Sequence, residues 1–140
     1  MPSMIRVARR AHEGVEMSAQ ENIERTKAAY AAFAAADVDG ASQALDGGIE
    51  WVVAGNSTIS GTYNGKDEVI GFWLKLAEKG FTTEPQHFLG DDERVVVLTR
   101  ITVDGESADQ ADVLTFREGE VVKFQSVGDT AMQERIWGSK

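Results

Sequence analysis

A chain of 140 residues, of which 42% are hydrophobic, has room for one domain that buries a core and a small cavity without metal or disulfide support. It holds no cysteine and only two histidines, His12 and His87, which excludes disulfides, thiolate nucleophiles, cysteine-ligated zinc and a histidine-rich metal site. With 23 acids against 14 bases the formal net charge is −9, and no basic cluster extends beyond Arg9-Arg10, so nucleic acid and anionic membrane are poor partners.

No apolar run approaches the length of a membrane span, and residues 1–16 lack the apolar middle of a secretory signal, so the protein reads as cytoplasmic. Ser18 and Glu21 stand at capping-box spacing just after Met17. Residues 1–17 therefore read as a disordered N-terminal extension, residues 18–135 as the domain and residues 136–140 as a tail.

From Ser18 the helical pattern runs to about Ala36, with Ile23, Thr26, Tyr30 and Phe33 on one inward stripe. Asp37, Asp39 and Gly40 break it. A short helix carrying Ala44 and Leu45 follows and ends at Asp46-Gly47-Gly48. Ile49–Ala54 reads as a strand and Gly55–Gly65 as a loop. Lys66 to about Lys79 reads as a third helix burying Val69, Ile70, Trp73 and Leu76. Four strands complete the chain, Phe81–Leu89, Arg94–Val103, Ser107–Arg117 and Val121–Val127, joined by the hairpin signals Gly90-Asp91-Asp92, Asp104-Gly105 and Glu118-Gly119. Helices first and a meander afterwards predict an α+β domain: three N-terminal helices packed on one face of a strongly curved, mostly antiparallel sheet.

Asp112 falls inside the third of those strands and shares a side with Leu114 and Phe116. If that side faces the interior, desolvation raises the carboxyl pKa and lets it stay protonated near neutral pH as a hydrogen-bond donor. If Ala111, Val113 and Thr115 form the buried side instead, Asp112 is merely solvated.

Several motifs carry a resemblance. Tyr30-Ala-Ala-Phe33 with Asp37-Val-Asp-Gly40, then Ile49-Glu-Trp-Val-Val53, Gly61-Thr-Tyr-Asn-Gly65-Lys66, Asp112-Val-Leu-Thr-Phe116 before Gly119, and Asp129-Thr130 follow one another over residues 18–132. In order and spacing they resemble the NTF2-like superfamily, in particular its SnoaL-like members related to polyketide cyclases and ketosteroid isomerases. That resemblance implies a cone of helices against a bent sheet, an apolar cavity at the wide end and homodimerisation through the outer sheet face. No stretch of the chain carries the spacing of a carboxylate metal cage or a complete phosphate loop, so neither a metal nor a cofactor is expected.

In ketosteroid isomerase a tyrosine and a protonated aspartic acid bind the oxyanion while a second aspartate moves the proton. Tyr30 and Asp112 match the first two positions. The third falls at Val53, or Ala54 with a one-residue slip, and neither side chain accepts a proton, so general acid–base catalysis worth about 10²–10⁴ in rate loses its base. His87, on a strand face with Phe81, Thr83, Pro85 and Leu89, is the one replacement to name. Related epoxide hydrolases and cyclases place their acid on the last strand, where this chain reads Phe124-Gln125-Ser126-Val127; Asp129 reads as a turn or cap residue.

Trp51, Val53, Phe33, Trp73, Leu114 and Phe116 complete the expected pocket, whose composition suits a planar, apolar ligand. Arg100, on a face with Val96 and Leu98, is a potential partner that would lower the Asp112 pKa. Ser57, Ser60 and Ser126 belong to no recognisable triad motif, and Gly65-Lys66 only imitates part of a phosphate loop. The expectation is a small-molecule pocket protein that binds an apolar carbonyl compound and performs cofactor-free isomerase or cyclase-type proton transfer. The alternative is a non-catalytic binding or dimerisation module.

Overall fold

The computed structural model describes residues 19–140, so the extension and the Ser18 cap lie outside the described residues. The chain forms α1 (19–34), α2 (Val38–Ser42), β1 (Leu45–Val53), β2 (Gly61–Asn64) and α3 (Gly65–Ala77). There follow β3 (Thr82–Gly90), β4 (Arg94–Val103), β5 (Glu106–Arg117), β6 (Glu120–Val127) and α4 (Thr130–Trp137). The strands make one curved, unclosed sheet in the order β2-β1-β6-β5-β4-β3, antiparallel except for the β1–β6 pair.

Three elements differ from the expectation. Gly61–Asn64 is an edge strand on β1, not loop; its glycine and asparagine hide the strand preference of Thr62 and Tyr63. The second helix ends before Ala44, and Leu45 begins β1. Asp37 starts that helix by accepting from Gly40 N–H at 2.9 Å, and Asp46-Gly47-Gly48 is a bulge within β1, bent by the Asp46 carboxylate on Gly48 N–H at 2.8 Å. Finally, residues 130–137 are a fourth helix. Asp129 caps it by accepting from Met132 N–H at 2.9 Å, and Met132, Ile136 and Trp137 turn toward Ile101, Val103 and Phe81.

The core lies between α1, α3 and the inner sheet face, where Ile49, Val69, Val95, Val97 and Val121 are fully enclosed. Two tethers fix α1 across the sheet: Asn22 Nδ2 donates to the carbonyl of Asp92, and the Arg25 guanidinium to that of Gly119. Both partners sit in hairpin turns at one end of the sheet. Two turns onward along the helix, Tyr30 therefore reaches Phe88 on β3 and Asp112 on β5, and Phe33 meets Trp73 and Phe81. At the other end α4 and the 54–60 loop are stapled together, with Gln133 Nε2 2.9 Å from both Ser57 Oγ and Ser60 Oγ and Thr58 N–H bonded to the Gly138 carbonyl.

Ile49 sits where the β1 bulge returns to the sheet beneath α3. Truncating this enclosed side chain removes transfer energy and leaves a void, so Ile49→Ala is expected to lower stability by about 3 kcal/mol in urea unfolding. A loss below about 1 kcal/mol would show that the bulge collapses to fill the space.

Candidate active site

Strand register decides which side chains meet. Across the inner face, Val97 on β4, Asp112 on β5, Ser126 on β6 and Val53 on β1 form one row. Val95, Leu114, Phe124 and Trp51 form the next. Asp112 is 3% exposed, with Leu114 and Phe116 buried beside it, so the interior reading of this strand holds.

Above that row Tyr30 Oη donates to Asp112 Oδ2 at 2.5 Å, and Gln110 Nε2 donates to Oδ1 at 2.8 Å. Burial pushes the Asp112 carboxyl up to about 6, against the lowering effect of these two donors. At pH 7 it is thus chiefly a carboxylate that accepts. The Tyr30 hydroxyl is held well above its usual range, first by burial and then by the Asp112 charge it faces, so it keeps its proton.

These groups line a cavity of about 130 Å³. Phe33, Trp51, Val53, Trp73 and Leu114 line it as expected; Phe116 is buried further along β5 and is not part of its wall. Trp51 stacks on Phe124 with ring centres 3.6 Å apart and meets Trp73 edge-on at 5.7 Å, giving a flat aromatic wall. Gln110, Ser126, Asp129 and Gln133 add polar atoms at the α4 end. Val53 is buried in the cavity wall, while Ala54 is exposed beyond the strand.

Two expected residues lie elsewhere. A bulge between Pro85 and His87 reverses the alternation of β3, so Phe88 turns inward against Tyr30 at 6.0 Å and His87 is exposed on the outer face. It does not line the cavity. Arg100 is also on the outer face, paired with Asp109 at 3.1 Å, because Thr99 and Ile101 take the inner positions. Among the described residues, Tyr30, Asp112 and Asp129 are the titratable groups of the wall, and Asp129 is occupied as a cap. No group of acids and histidines among the described residues is arranged to hold a metal ion. Sequence reasoning missed Gln110, although its place two residues before Asp112 on one strand face was a usable signal.

A helix-covered, curved open sheet with a polar pair deep in an apolar cavity defines the NTF2-like class. Within it, the model of the SnoaL-like domain matches residues 26–124, and the chain belongs to that family. Bal32a, from a soil-derived mobile gene cassette, is similar with a TM-score of 0.81 at 23% identity, covering 86% of this chain and 98% of its own. An NTF2-like protein of unknown function from Burkholderia pseudomallei has a TM-score of 0.75 at 29% identity, with coverage of 85% and 98%. TerC, co-crystallised with polyporic acid, has a TM-score of 0.76 at 25% identity, covering 85% and 99%. No curated protein matches the chain. No helix among the described residues is long and apolar enough to cross a membrane.

The raised Asp112 pKa has a definite sign. Below about pH 4 the carboxyl is neutral folded and unfolded; from there to about pH 6 the folded protein keeps a proton that the unfolded chain has lost, so stability falls as pH rises. Native protein is therefore expected to lose about 3 kcal/mol relative to Asp112→Asn between about pH 4 and pH 7, read from urea unfolding. A constant gap across that range would place the native carboxyl at its ordinary pKa.

Proposed function

We propose that this protein binds a planar, apolar compound of about one ring that bears a carbonyl or phenolic oxygen, and moves a proton on it without a cofactor. The Tyr30–Asp112 pair, a hydrogen bond of 2.5 Å inside an otherwise apolar cavity, carries this reading. A cavity of about 130 Å³ matches ligands near the size of benzene, which occupies an engineered void of about 150 Å³. TerC, which was co-crystallised with polyporic acid, supports a pocket for an oxygenated organic molecule.

With His87 outside, Asp112 is itself the acid–base group. Its pKa of about 6 suits proton transfer near neutrality. A carbonyl oxygen and its α-hydrogen are separated by only a few bonds, so a base and an oxyanion donor serve one substrate best as neighbours. The α-C–H bond breaks, its proton passes to the Asp112 carboxylate, and the electron pair moves onto the carbonyl oxygen as an enolate. Tyr30, released from Asp112, donates to that oxygen while keeping its proton. Return of the proton from Asp112 to another carbon completes an isomerisation.

Thermal unfolding with one-ring phenols and enones tests the pocket. A compound at 100 times its dissociation constant is expected to add about 2.7 kcal/mol to the native protein, and Tyr30→Phe or Asp112→Ala to remove most of that gain. For compounds that bind, hydrogen–deuterium exchange at the α-carbon is expected to slow about 10²–10⁴-fold in Asp112→Asn. Indifference of the native protein to every such compound would end the reading.

A second reading, a dimerisation module, rests on the outer sheet face, where Leu89, Leu98 and Val127 are 55%, 39% and 54% exposed around His87. A second copy packed there would cover them. Leu98→Arg is then expected to convert a dimer to a monomer in sedimentation equilibrium; a native protein that sediments as a monomer contradicts it.

A further inference from the structure

The Asp112 carboxyl is held at both oxygens by different elements. Tyr30 reaches Oδ2 from α1, whereas Oδ1 receives Gln110 Nε2 from the same strand, two residues earlier and so on the same inner face. Three features fix Gln110 in that place. Its backbone is paired with Thr99, a buried residue whose hydroxyl bonds Thr83 at 2.5 Å. Its side chain lines the cavity wall beside Asp112. It also lies across Gly128, where an added Cβ would come within 2.9 Å of its Oε1, so that the amide end would have to shift, and within 3.2 Å of its Cγ, a tight contact.

Among the described residues, the cavity wall contains no lysine, arginine or histidine to balance the Asp112 charge. A neutral amide is then the available donor besides Tyr30, and Tyr30 is the group a ligand oxygen competes for. We propose that Gln110 is the positioning residue of the site: its amide sets the rotation of the Asp112 carboxyl, keeps Oδ2 turned to Tyr30 and the ligand, and holds the charge when Tyr30 is drawn away. The role of the amide in catalysis rests on the reading of Asp112 as the acid–base group.

A hydrogen bond to a carboxylate is about twice as strong as one between neutral groups. Losing the amide therefore disfavours the ionised form more than the protonated one. The test is the titration of the Asp112 carboxyl by carbon-13 NMR in ligand-free native protein, Gln110→Leu and Gly128→Ala, with phenol affinity measured alongside. In both variants the midpoint is expected to rise by about one pH unit, a tenfold change in the ionisation constant. Gly128→Ala touches neither Asp112 nor Tyr30, so it decides the matter even if Gln110→Leu fails to fold. Unchanged midpoints in the folded variants would overturn the proposal. A native protein that binds no phenol or ketone while the midpoints still move would remove the proposed function and leave the hold of Gln110 on Asp112 standing.

Discussion

Placing one carboxyl group inside an apolar cone is the constraint on which the site is built. Loss of hydration penalises its charged form, and two side-chain donors among the described residues, Tyr30 and Gln110, oppose that penalty. Each donor depends on a different part of the fold. Tyr30 arrives because α1 is pinned through Asn22 and Arg25 to the turns at one end of the sheet, and Gln110 because β5 is regular between Ala108 and Asp112. Small slips matter here, since a one-residue shift of register in β5 would move Asp112 to the outer face.

Closure of the cavity comes from elements distant in sequence. The stacked Trp51–Phe124 pair joins the parallel β1–β6 strands, and Trp73 from α3 and Phe33 from α1 meet that wall edge-on. At the far end α4 folds back and is latched to the 54–60 loop by buried hydroxyls and Gln133. The extent of the cavity thus depends on where α4 rests, and the polar groups of its wall come largely from β5. With Val53 beside Ser126 in the acid's own row, that row offers one carboxyl where a two-carboxyl mechanism needs a pair, the Asp129 carboxyl of the wall being engaged as the α4 cap. On the proposed reading, acid and base duties would therefore both fall to Asp112.

The fold was legible in the sequence to the extent that periodicity and turn chemistry are local. The inward stripe of α1, the apolar face of α3, the hairpin glycines and the Asp112-Leu114-Phe116 alternation were read correctly for that reason. Edge strand β2 was hidden by turn-forming residues, and α4 by its shortness, although the Asp129 cap and the Met132–Ile136 spacing mark it. His87 was misplaced because alternation was extended through a bulge, an irregularity set by pairing with β4 and invisible in the residues themselves.

By itself, then, the sequence determined the class of fold, the absence of cysteine-based chemistry and the two residues, Tyr30 and Asp112, that meet in the cavity. Local spacing fixes which side of an element a residue faces, and resemblance over residues 18–132 fixes the order of elements. Tertiary structure alone decided that His87 and Arg100 stand outside, that Gln110 completes the carboxyl's partners and that the cavity has a volume of about 130 Å³. Those outcomes depend on strand register, bulges and the docking of α4, which are properties of contacts between segments and are encoded in no single one of them.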